Sequence, residues 1–294
     1  MAVIGVNKKG PRPPTTGRPT PPSQTGQPWP PPPNTPLISR TYPPGSCGKG
    51  PIARIVRGKE AKRGDYPWQA LLQKNGCQFC GGTLISPEWV MSAAHCVEGE
   101  KPENIIIRMG ALYRVDKPST SQGEQKFSVT QIIMHESYNH PKGMSYDVAL
   151  LKLERPATLD DFTNLACLPS SDPTPGSLCT ITGWGYLKED GEKPEKLQVM
   201  QVPIMSKETC EGYYRNEIHE SMLCAGLPEG GKDSCKGDSG GPMVCKDSDG
   251  RYSVHGVTSW GYGCALPGRP GVYARVSFLI KWIEDKINGY QRDL

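Results

Sequence analysis

The sequence predicts an all-β fold with one C-terminal helix, preceded by a proline-rich tail. From Ile55 onward, short runs of β-branched and aromatic residues alternate with Gly, Pro, Asn and Asp turns, a pattern typical of a β-sandwich or barrel. A single apolar stripe with helical spacing stands near the end of the chain. Fifteen of the 30 prolines fall in residues 1–54, which excludes one 294-residue globule and predicts a tail (1–54) and a folded part (55–294).

The tail is basic and rich in Pro, Thr, Ser and Gly. Such a segment buries no core, so we expect it to be extended, polyproline-like and largely disordered, serving either as a passive stalk or as a ligand for a Pro-recognising domain. Its charge is +7 while the whole chain carries +4, which leaves −3 on residues 55–294. A nucleic-acid binder concentrates positive charge on its fold, so we expect no nucleic-acid partner.

The folded part contains ten runs that we predict as strands. They are Trp68–Gln73, Gly82–Ser86, Asn104–Met109, Phe127–Met134, Asp147–Leu153, Leu178–Gly183, Gln198–Ile204, Gly241–Cys245, Ser253–Trp260 and Gly271–Val276. Helices do not alternate with these runs, which argues against a parallel sheet. No stretch approaches the roughly 18 apolar residues of a membrane span, so none is expected.

The last segment is predicted as a helix that docks on the β core. Leu279, Trp282, Ile283 and Ile287 recur at i, i+3, i+4 and i+8 and form one apolar stripe. The Asn288-Gly289 pair that follows is a typical stop signal.

All 11 cysteines follow residue 46, and their spacing indicates disulfides formed in an oxidising compartment. Zinc is the competing interpretation, since Cys77-x-x-Cys80 and His95-Cys96 offer ligand-like residues, but the later cysteines stand singly. We therefore expect a secreted protein. The apolar start, Met1–Val6, is too short for a signal peptide, so either the true start lies upstream or the chain is partial.

Three short segments carry residues suited to nucleophilic catalysis. Ser239 stands among glycines, which leave space around its hydroxyl and expose backbone N–H groups that can bind an oxyanion. His95 lies between small residues and a cysteine, and Asp147 opens an apolar strand. A hydroxyl nucleophile needs a base, and the base needs an orienting group, so the three form a candidate Ser-His-Asp set.

These segments resemble the signatures of the chymotrypsin/trypsin family of serine proteases, in the same His, Asp, Ser order. The resemblance covers residues 47 to about 287 and includes Ile55-Val56-Arg57-Gly58, Cys80-Gly81-Gly82, Thr182-Gly183-Trp184-Gly185 and Pro270-Gly271-Val272-Tyr273. It implies two antiparallel Greek-key β-barrels packed together, at about 55–160 and 170–277, with the helix at about 277–287.

The resemblance implies a role for each matching residue. Ser239 is expected to be the nucleophile, His95 its general base and Asp147 the group that orients His95. The N–H groups of Gly237 and Ser239 are expected to form the oxyanion hole. An edge formed by Ser259, Trp260 and Gly261 is expected to pair with the substrate backbone.

The resemblance also implies specificity and activation. Asp233, six residues before Ser239, matches the carboxylate at the base of a pocket for Arg or Lys, which Gly261 and Gly271 keep open. Arg54-Ile55 matches the family's zymogen cleavage point. The new amine of Ile55 is then expected to pair with Asp238, so the uncut chain is predicted to be an inactive precursor.

Family pairing implies the disulfides Cys47–Cys167, Cys80–Cys96, Cys179–Cys245, Cys210–Cys224 and Cys235–Cys264. Cys77 remains, either as a partly buried free thiol or as a link to another molecule. No metal or other cofactor is expected, because the loop that binds calcium in some members has Ala111 where they have a carboxylate and retains Glu124 alone.

The sequence therefore predicts a secreted serine endopeptidase zymogen that cleaves after Arg or Lys. Its expected partners are polypeptide substrates, an activating protease and protein protease inhibitors. The alternative is a binding or regulatory module on the same fold that has lost catalysis.

Overall fold

The computed structural model describes residues 47–50, 59–116, 123–187, 191–230, 237–264 and 266–292. The predicted tail up to residue 46 lies outside this part of the chain, as does the predicted cleavage point, Arg54-Ile55. The described residues form a closed six-stranded barrel, a second sheet of seven strands and three α-helices.

The first barrel is antiparallel throughout. A two-residue strand that belongs to the second sheet, β1 (Lys59–Glu60), precedes it. The barrel strands are β2 (Gln69–Lys74), β3 (Cys77–Ser86), β4 (Trp89–Ser92), β5 (Ile106–Met109), β6 (Gln125–Met134) and β7 (Ala149–Leu153). They close in the order β2-β3-β4-β7-β6-β5.

The second sheet repeats the strand order of the barrel. Its strands are β8 (Leu178–Gly183), β9 (Gln198–Pro203), β10 (Met222–Ala225), β11 (Pro242–Lys246), β12 (Tyr252–Trp260) and β13 (Gly271–Arg275), with β1 added at its edge. A bridge between Ile204 and Ala225 joins the end of β9 to the end of β10. With this bridge the order is β8-β9-β10-β13-β12-β11, so each unit lays three consecutive strands side by side and the next three in reverse. The all-β prediction, with a first barrel and a C-terminal helix, is confirmed; where a second barrel was predicted, the structure has the seven-stranded sheet.

The helices extend the sequence prediction. The C-terminal helix α3 (Val276–Arg292) packs Leu279, Ile283 and Ile287 into the main core cluster. It continues through Asn288 and Gly289, so the predicted stop is wrong; a helical Gly costs only about 1 kcal/mol, and the apolar face upstream already anchors the helix.

Two shorter helices were not predicted. The one-turn α1 (Ala94–Val97) follows β4, and α2 (Lys207–Tyr214) follows β9. The side chain of Ser206 caps α2 by accepting the N–H of Thr209 at 3.3 Å. Both helices are too short for apolar periodicity to reveal them. A short 3₁₀ turn (Pro102–Asn104) precedes β5.

Four disulfides connect described residues. They are Cys47–Cys167, Cys80–Cys96, Cys179–Cys245 and Cys210–Cys224. Cys264 is also disulfide-bonded, whereas Cys235 lies outside the described residues. Cys77 is a free thiol and is exposed rather than partly buried, because it follows the tight Asn75-Gly76 turn at the start of β3.

A buried ion pair of the first barrel uses Glu124, the acidic residue of the loop for which no calcium site was expected. The guanidinium of Arg108, on β5, donates to Glu124 at 3.1 and 2.6 Å, and both side chains are almost fully buried. The same guanidinium also donates to the carbonyls of Tyr113 and Arg114, so Glu124 is neutralised by a cation of the chain itself.

No helix in the described part of the chain is long and apolar enough to cross a bilayer.

Candidate active site

The pairing of β4 with β7 brings His95 and Asp147 together. Ser92, the last residue of β4, stands opposite Ala149, the first residue of β7. Because the two strands are antiparallel, the chain that leaves β4 and the chain that enters β7 share one end of the barrel. His95 lies three residues after Ser92 and Asp147 two residues before Ala149, so their side chains meet there.

Two hydrogen bonds join His95 to Asp147. The backbone N–H of His95 donates to Oδ1 at 2.9 Å, and its ring Nδ1 lies 2.7 Å from Oδ2. An ionised carboxylate only accepts, so Nδ1 carries a proton and Nε2 of the neutral ring is left as the acceptor. Asp147 is fully buried, whereas 24% of the His95 side chain is exposed.

A third group holds Asp147, and the sequence did not reveal it. The hydroxyl of Ser259, expected to serve only substrate pairing, donates to Asp147 Oδ2 at 2.5 Å. Ser259 belongs to β12 of the second sheet, so the carboxylate is held by residues from both halves of the molecule. Motif spacing gives no sign of such a contact.

Asp147 also controls the protonation of His95. Burial disfavours the imidazolium and by itself lowers the pKa of His95. The charge of Asp147, its hydrogen bond and a smaller effect of Glu98 act in the opposite direction and prevail, so the pKa of His95 is raised above its ordinary value.

The pairing of β11 with β12 positions Ser239 beside this end of the first barrel, much as the pairing of β4 with β7 positions His95 and Asp147. Pro242, the first residue of β11, pairs with Val257 on β12. Ser239 lies three residues before Pro242 and Ser259 two residues after Val257. The carbonyl of Ser239 accepts the N–H of Gly81 at 2.8 Å, which ties this segment to β3 of the first barrel, next to the Cys80–Cys96 disulfide.

Close packing around Gly240 brings the loop that contains Ser239 (Gly237–Gly241) against the turn that contains His95 (Ser92–Cys96). Gly240 has φ +77°, and a Cβ there would lie 2.2 Å from Oγ of Ser92 and 3.2 Å from the N atom of Ala93. Glycine alone fits such a position.

Three successive backbone carbonyls in the loop that contains Ser239 accept hydrogen bonds. The carbonyl of Gly237 accepts from Gln78 Nε2 at 2.8 Å, that of Asp238 from the N–H of Gly241 at 2.9 Å, and that of Ser239 from Gly81. Within the described residues, neither the N–H of Gly237 nor that of Ser239 donates to another group. Their carbonyls are thus fixed while two N–H groups beside the Ser239 hydroxyl remain available to an anion.

Ser239 and His95 are not hydrogen-bonded to each other in the described structure. Nε2 of His95 lies 3.9 Å from Sγ of Cys96. Hydrogen bonds between a nucleophile and its base are often long or misaligned without substrate and tighten in the complex.

The predicted substrate-pairing edge lies at the end of β12. Pairing of β12 with β11 ends at Val257, beyond which Thr258 still exchanges backbone hydrogen bonds with Gly240 and Gly241. The last two residues of β12, Ser259 and Trp260, have β13 on one side only within the described residues, and Gly261 follows the end of the strand. Trp260 is half-buried against Tyr214, and Gly261 is exposed.

Asp238 contacts the β8–β9 connection. Its Oδ1 accepts the N–H of Gly185 at 2.7 Å. It also lines a cavity of about 250 Å³ whose walls include Ile181, Leu187 and Met200.

Several predicted site residues lie outside the described part of the chain. These are Arg54, Ile55, Asp233 and Cys235. Gly271, the other residue expected to keep the primary pocket open, is described; it is buried at the start of β13, opposite Ala225.

Potential metal ligands near the site are otherwise engaged. Cys80, His95 and Cys96 place ligand atoms within 4.8 Å of one another. However, Cys80 and Cys96 are joined as a disulfide, so neither offers the thiolate that zinc requires.

Comparison with known proteins agrees with this fold. The family model described as Trypsin matches residues 55–283. Transmembrane protease serine 9 of Rattus norvegicus is 41% identical over 245 residues, which cover 81% of this chain and 23% of that protein. The chain therefore belongs to the trypsin family of serine proteases. It spans less than a quarter of the length of this relative.

Proposed function

We propose that this chain is a secreted serine endopeptidase zymogen that cleaves peptide bonds after Arg or Lys. The observation that carries the proposal is the set of contacts around His95. Buried Asp147 fixes its orientation, and the Ser239 segment opposite has its carbonyls engaged and two N–H groups available. Secretion is proposed because of the disulfides, which persist in oxidising compartments.

Acylation uses these groups as follows. Nε2 of His95 takes the hydroxyl proton of Ser239 while Oγ forms a bond to the scissile carbonyl carbon. The carbonyl electron pair moves onto oxygen, and the N–H groups of Gly237 and Ser239 stabilise the resulting oxyanion. As the tetrahedral species collapses, the C–N bond breaks and the imidazolium gives its proton to the leaving amine.

Deacylation repeats the sequence with water. His95 takes a proton from water as the water oxygen bonds to the acyl carbon. Collapse then breaks the bond to Oγ, and the proton returns to Ser239. Asp147 stays ionised throughout and stabilises the imidazolium in both halves of the reaction.

Specificity for Arg or Lys is proposed from Asp233. The proposal is supported by the position of Asp233, six residues before Ser239, and by the lack of side chains at Gly261 and Gly271. A desolvated carboxylate binds a guanidinium or ammonium group through charge-assisted hydrogen bonds.

Activation is proposed to occur at Arg54-Ile55. The apolar cavity beside Asp238 suits an Ile side chain whose free amine pairs with the carboxylate. Because a partly buried charge needs compensation, this ion pair is proposed to hold Asp238 in place next to Gly237.

The deciding experiment compares full chains cut after Arg54. Hydrolysis of reporter substrates with Arg, Lys or Phe before the scissile bond is measured for the wild type and for Ser239→Ala. We expect Arg and Lys substrates to be cleaved and the variant to lose at least about 10³-fold in kcat. Equal low rates in both proteins would overturn the enzyme proposal, and faster Phe cleavage would overturn the role of Asp233.

An Arg54→Gln chain, which resists cleavage at this bond, tests the zymogen proposal separately. We expect it to be inactive under the same conditions. Full activity of the uncut chain would contradict it.

The catalytically silent alternative draws on one observation, the missing hydrogen bond between Ser239 and His95. A covalent fluorophosphonate probe separates the two. Labelling of the cut wild type but not of Ser239→Ala supports the enzyme, and no labelling of either supports the silent module.

A further inference from the structure

Two side chains that do not belong to the Ser-His-Asp set are connected by hydrogen bonds to the carbonyl of Gly237. Nε2 of Gln78 donates to the Gly237 carbonyl at 2.8 Å, and Nζ of Lys193 donates to Oε1 of Gln78 at 3.0 Å. Gln78 belongs to β3 of the first barrel and is 8% exposed. Lys193 comes from the connection between β8 and β9 in the second sheet.

Lys193 determines which way the Gln78 amide faces. A Gln amide has one end that donates and one that accepts, and it can turn over in place. An ammonium group only donates, so it must meet Oε1, which leaves the NH₂ end toward the Gly237 carbonyl. Without Lys193, the amide could turn over and would then place Oε1 of Gln78 against the carbonyl oxygen of Gly237.

The position of Lys193 is itself fixed by the chain around it. Arg114 Nε donates to the carbonyl of Pro194 at 3.2 Å, and the Arg114 N–H donates to that of Glu195 at 2.7 Å. The ammonium is half-buried, and burial lowers the pKa of Lys193, with the charge of Arg114 acting in the same direction. A good acceptor such as Gln78 Oε1 offsets part of this desolvation.

Both side chains restrict Gly237, which is otherwise free to rotate. Gly237 has φ +100°, a conformation that other residues rarely adopt. The bond from Gln78 fixes the peptide plane that follows it. Lys193 packs on its Cα, since a Cβ there would lie 3.0 Å from Nζ and 3.1 Å from Cε.

The geometry points to Gln78 and Lys193 as positioning residues that preorganise the oxyanion hole by fixing the backbone of Gly237. This inference rests on the proposed function. Neither residue is assigned a bond to substrate. Because oxyanion donors act only on the charge that develops in the transition state, loosening Gly237 must lower kcat and leave KM nearly unchanged.

The test uses the full chain cut after Arg54 and the variant Gln78→Glu. This change keeps the side-chain size and the bond from Lys193 but removes the donor to Gly237. Gln73→Glu is the matched control, because its Nε2 donates to the Gly76 carbonyl in the β2–β3 turn. We expect kcat on an Arg reporter to fall about tenfold in Gln78→Glu, with KM unchanged, and no change in the control.

Two inhibitors separate positioning from a general structural effect. A peptide aldehyde ending in Arg adds the Ser239 hydroxyl across its C=O, which places a hemiacetal oxygen in the oxyanion hole. Benzamidine occupies the primary pocket alone. In Gln78→Glu we expect Ki of the aldehyde to rise about tenfold and Ki of benzamidine to stay within about twofold.

Lys193 variants extend the test and remain usable if Gln78→Glu fails to fold. Lys193→Met, which cannot orient the amide, should lower kcat and aldehyde affinity in the same direction, whereas Lys193→Arg should preserve both. Equal weakening of the two inhibitors, or no weakening of the aldehyde, would overturn the inference. A wild type that cleaves no reporter would instead overturn the proposed function, and the inference with it.

Discussion

At the scale of single residues, the contact with Asp147 raises the pKa of His95 and so sets the pH range in which the proposed base is neutral. The raised pKa means that His95 keeps its proton to a higher pH than an ordinary histidine, and only the neutral ring can accept the Ser239 proton. We therefore expect kcat/KM of the cut chain to fall as the pH drops, with a midpoint above the ordinary value of about 6.5.

Replacing Asp147 reverses this shift. In Asp147→Asn, the carboxylate charge is lost, so the midpoint should move to lower pH and the plateau should drop by about 10⁴-fold. Glu98→Gln is the control and should move the midpoint slightly in the same direction without a large loss of rate. An unchanged midpoint in Asp147→Asn would contradict this account of the pKa.

Ser259 supplies a second residue-scale prediction. Ser259→Ala removes a hydroxyl that donates to a fully buried carboxylate, so His95 is held less firmly. Hydrogen bonds to charged groups contribute about 1.5–3 kcal/mol, so we expect kcat/KM to fall by about tenfold or more. Ser253→Ala, on the same strand, removes a hydroxyl that donates to Asp247 and should leave kcat/KM unchanged. Equal losses in the two variants would indicate a general effect on β12.

At the scale of elements, the Arg108–Glu124 pair ties β5 to the chain that enters β6. Glu124→Gln leaves a buried guanidinium without a counter-charge, so we expect the free energy of unfolding to fall by about 3 kcal/mol in urea titrations. Glu100→Gln breaks the more exposed pair with Lys74 and should cost less than about 1 kcal/mol. A calcium-dependent unfolding midpoint in the wild type would contradict the view that Arg108 satisfies Glu124.

The sequence predicted most strands, because runs of five or more residues that are rich in β-branched and aromatic side chains and lie between turn residues are long enough to be recognised. All ten predicted strands overlap observed strands, and Leu178–Gly183 matches β8 at both ends. Three strands, β1, β4 and β10, were missed because strands of two to four residues, such as Trp89–Ser92, are too short for alternation to show. Their pairing energy comes from neighbours that are distant in the chain, which local patterns do not report.

The same limit applies to the candidate site. His95, Asp147 and Ser239 stand in recognisable segments, whereas Gln78 and Lys193 do not. They are 115 residues apart and meet because the first barrel and the second sheet pack together. Such a contact depends on tertiary structure and has no counterpart in spacing or periodicity.

At the scale of the whole molecule, Cys47–Cys167 predicts what happens to the tail after cleavage. Cys47 precedes Arg54-Ile55, and its partner lies in the segment between the barrel and the second sheet. We therefore expect the cut chain to run as one species on a non-reducing gel and as two after reduction. Cys47→Ser should release the tail without reductant. Release from the wild type under oxidising conditions would contradict this prediction.

The shared carboxylate of Asp147 also links ligand binding to the cohesion of the protein. One of its partners comes from the first barrel and another from the second sheet. An inhibitor that contacts both His95 and the β12 edge therefore binds across the interface between the first barrel and the second sheet. The free energy of its binding opposes the separation of these two parts. By thermodynamic linkage, saturation at 100 times Kd adds about 2.7 kcal/mol to the stability of the assembled molecule. Occupancy of the site then governs how long the protease itself withstands heat and attack by other proteases.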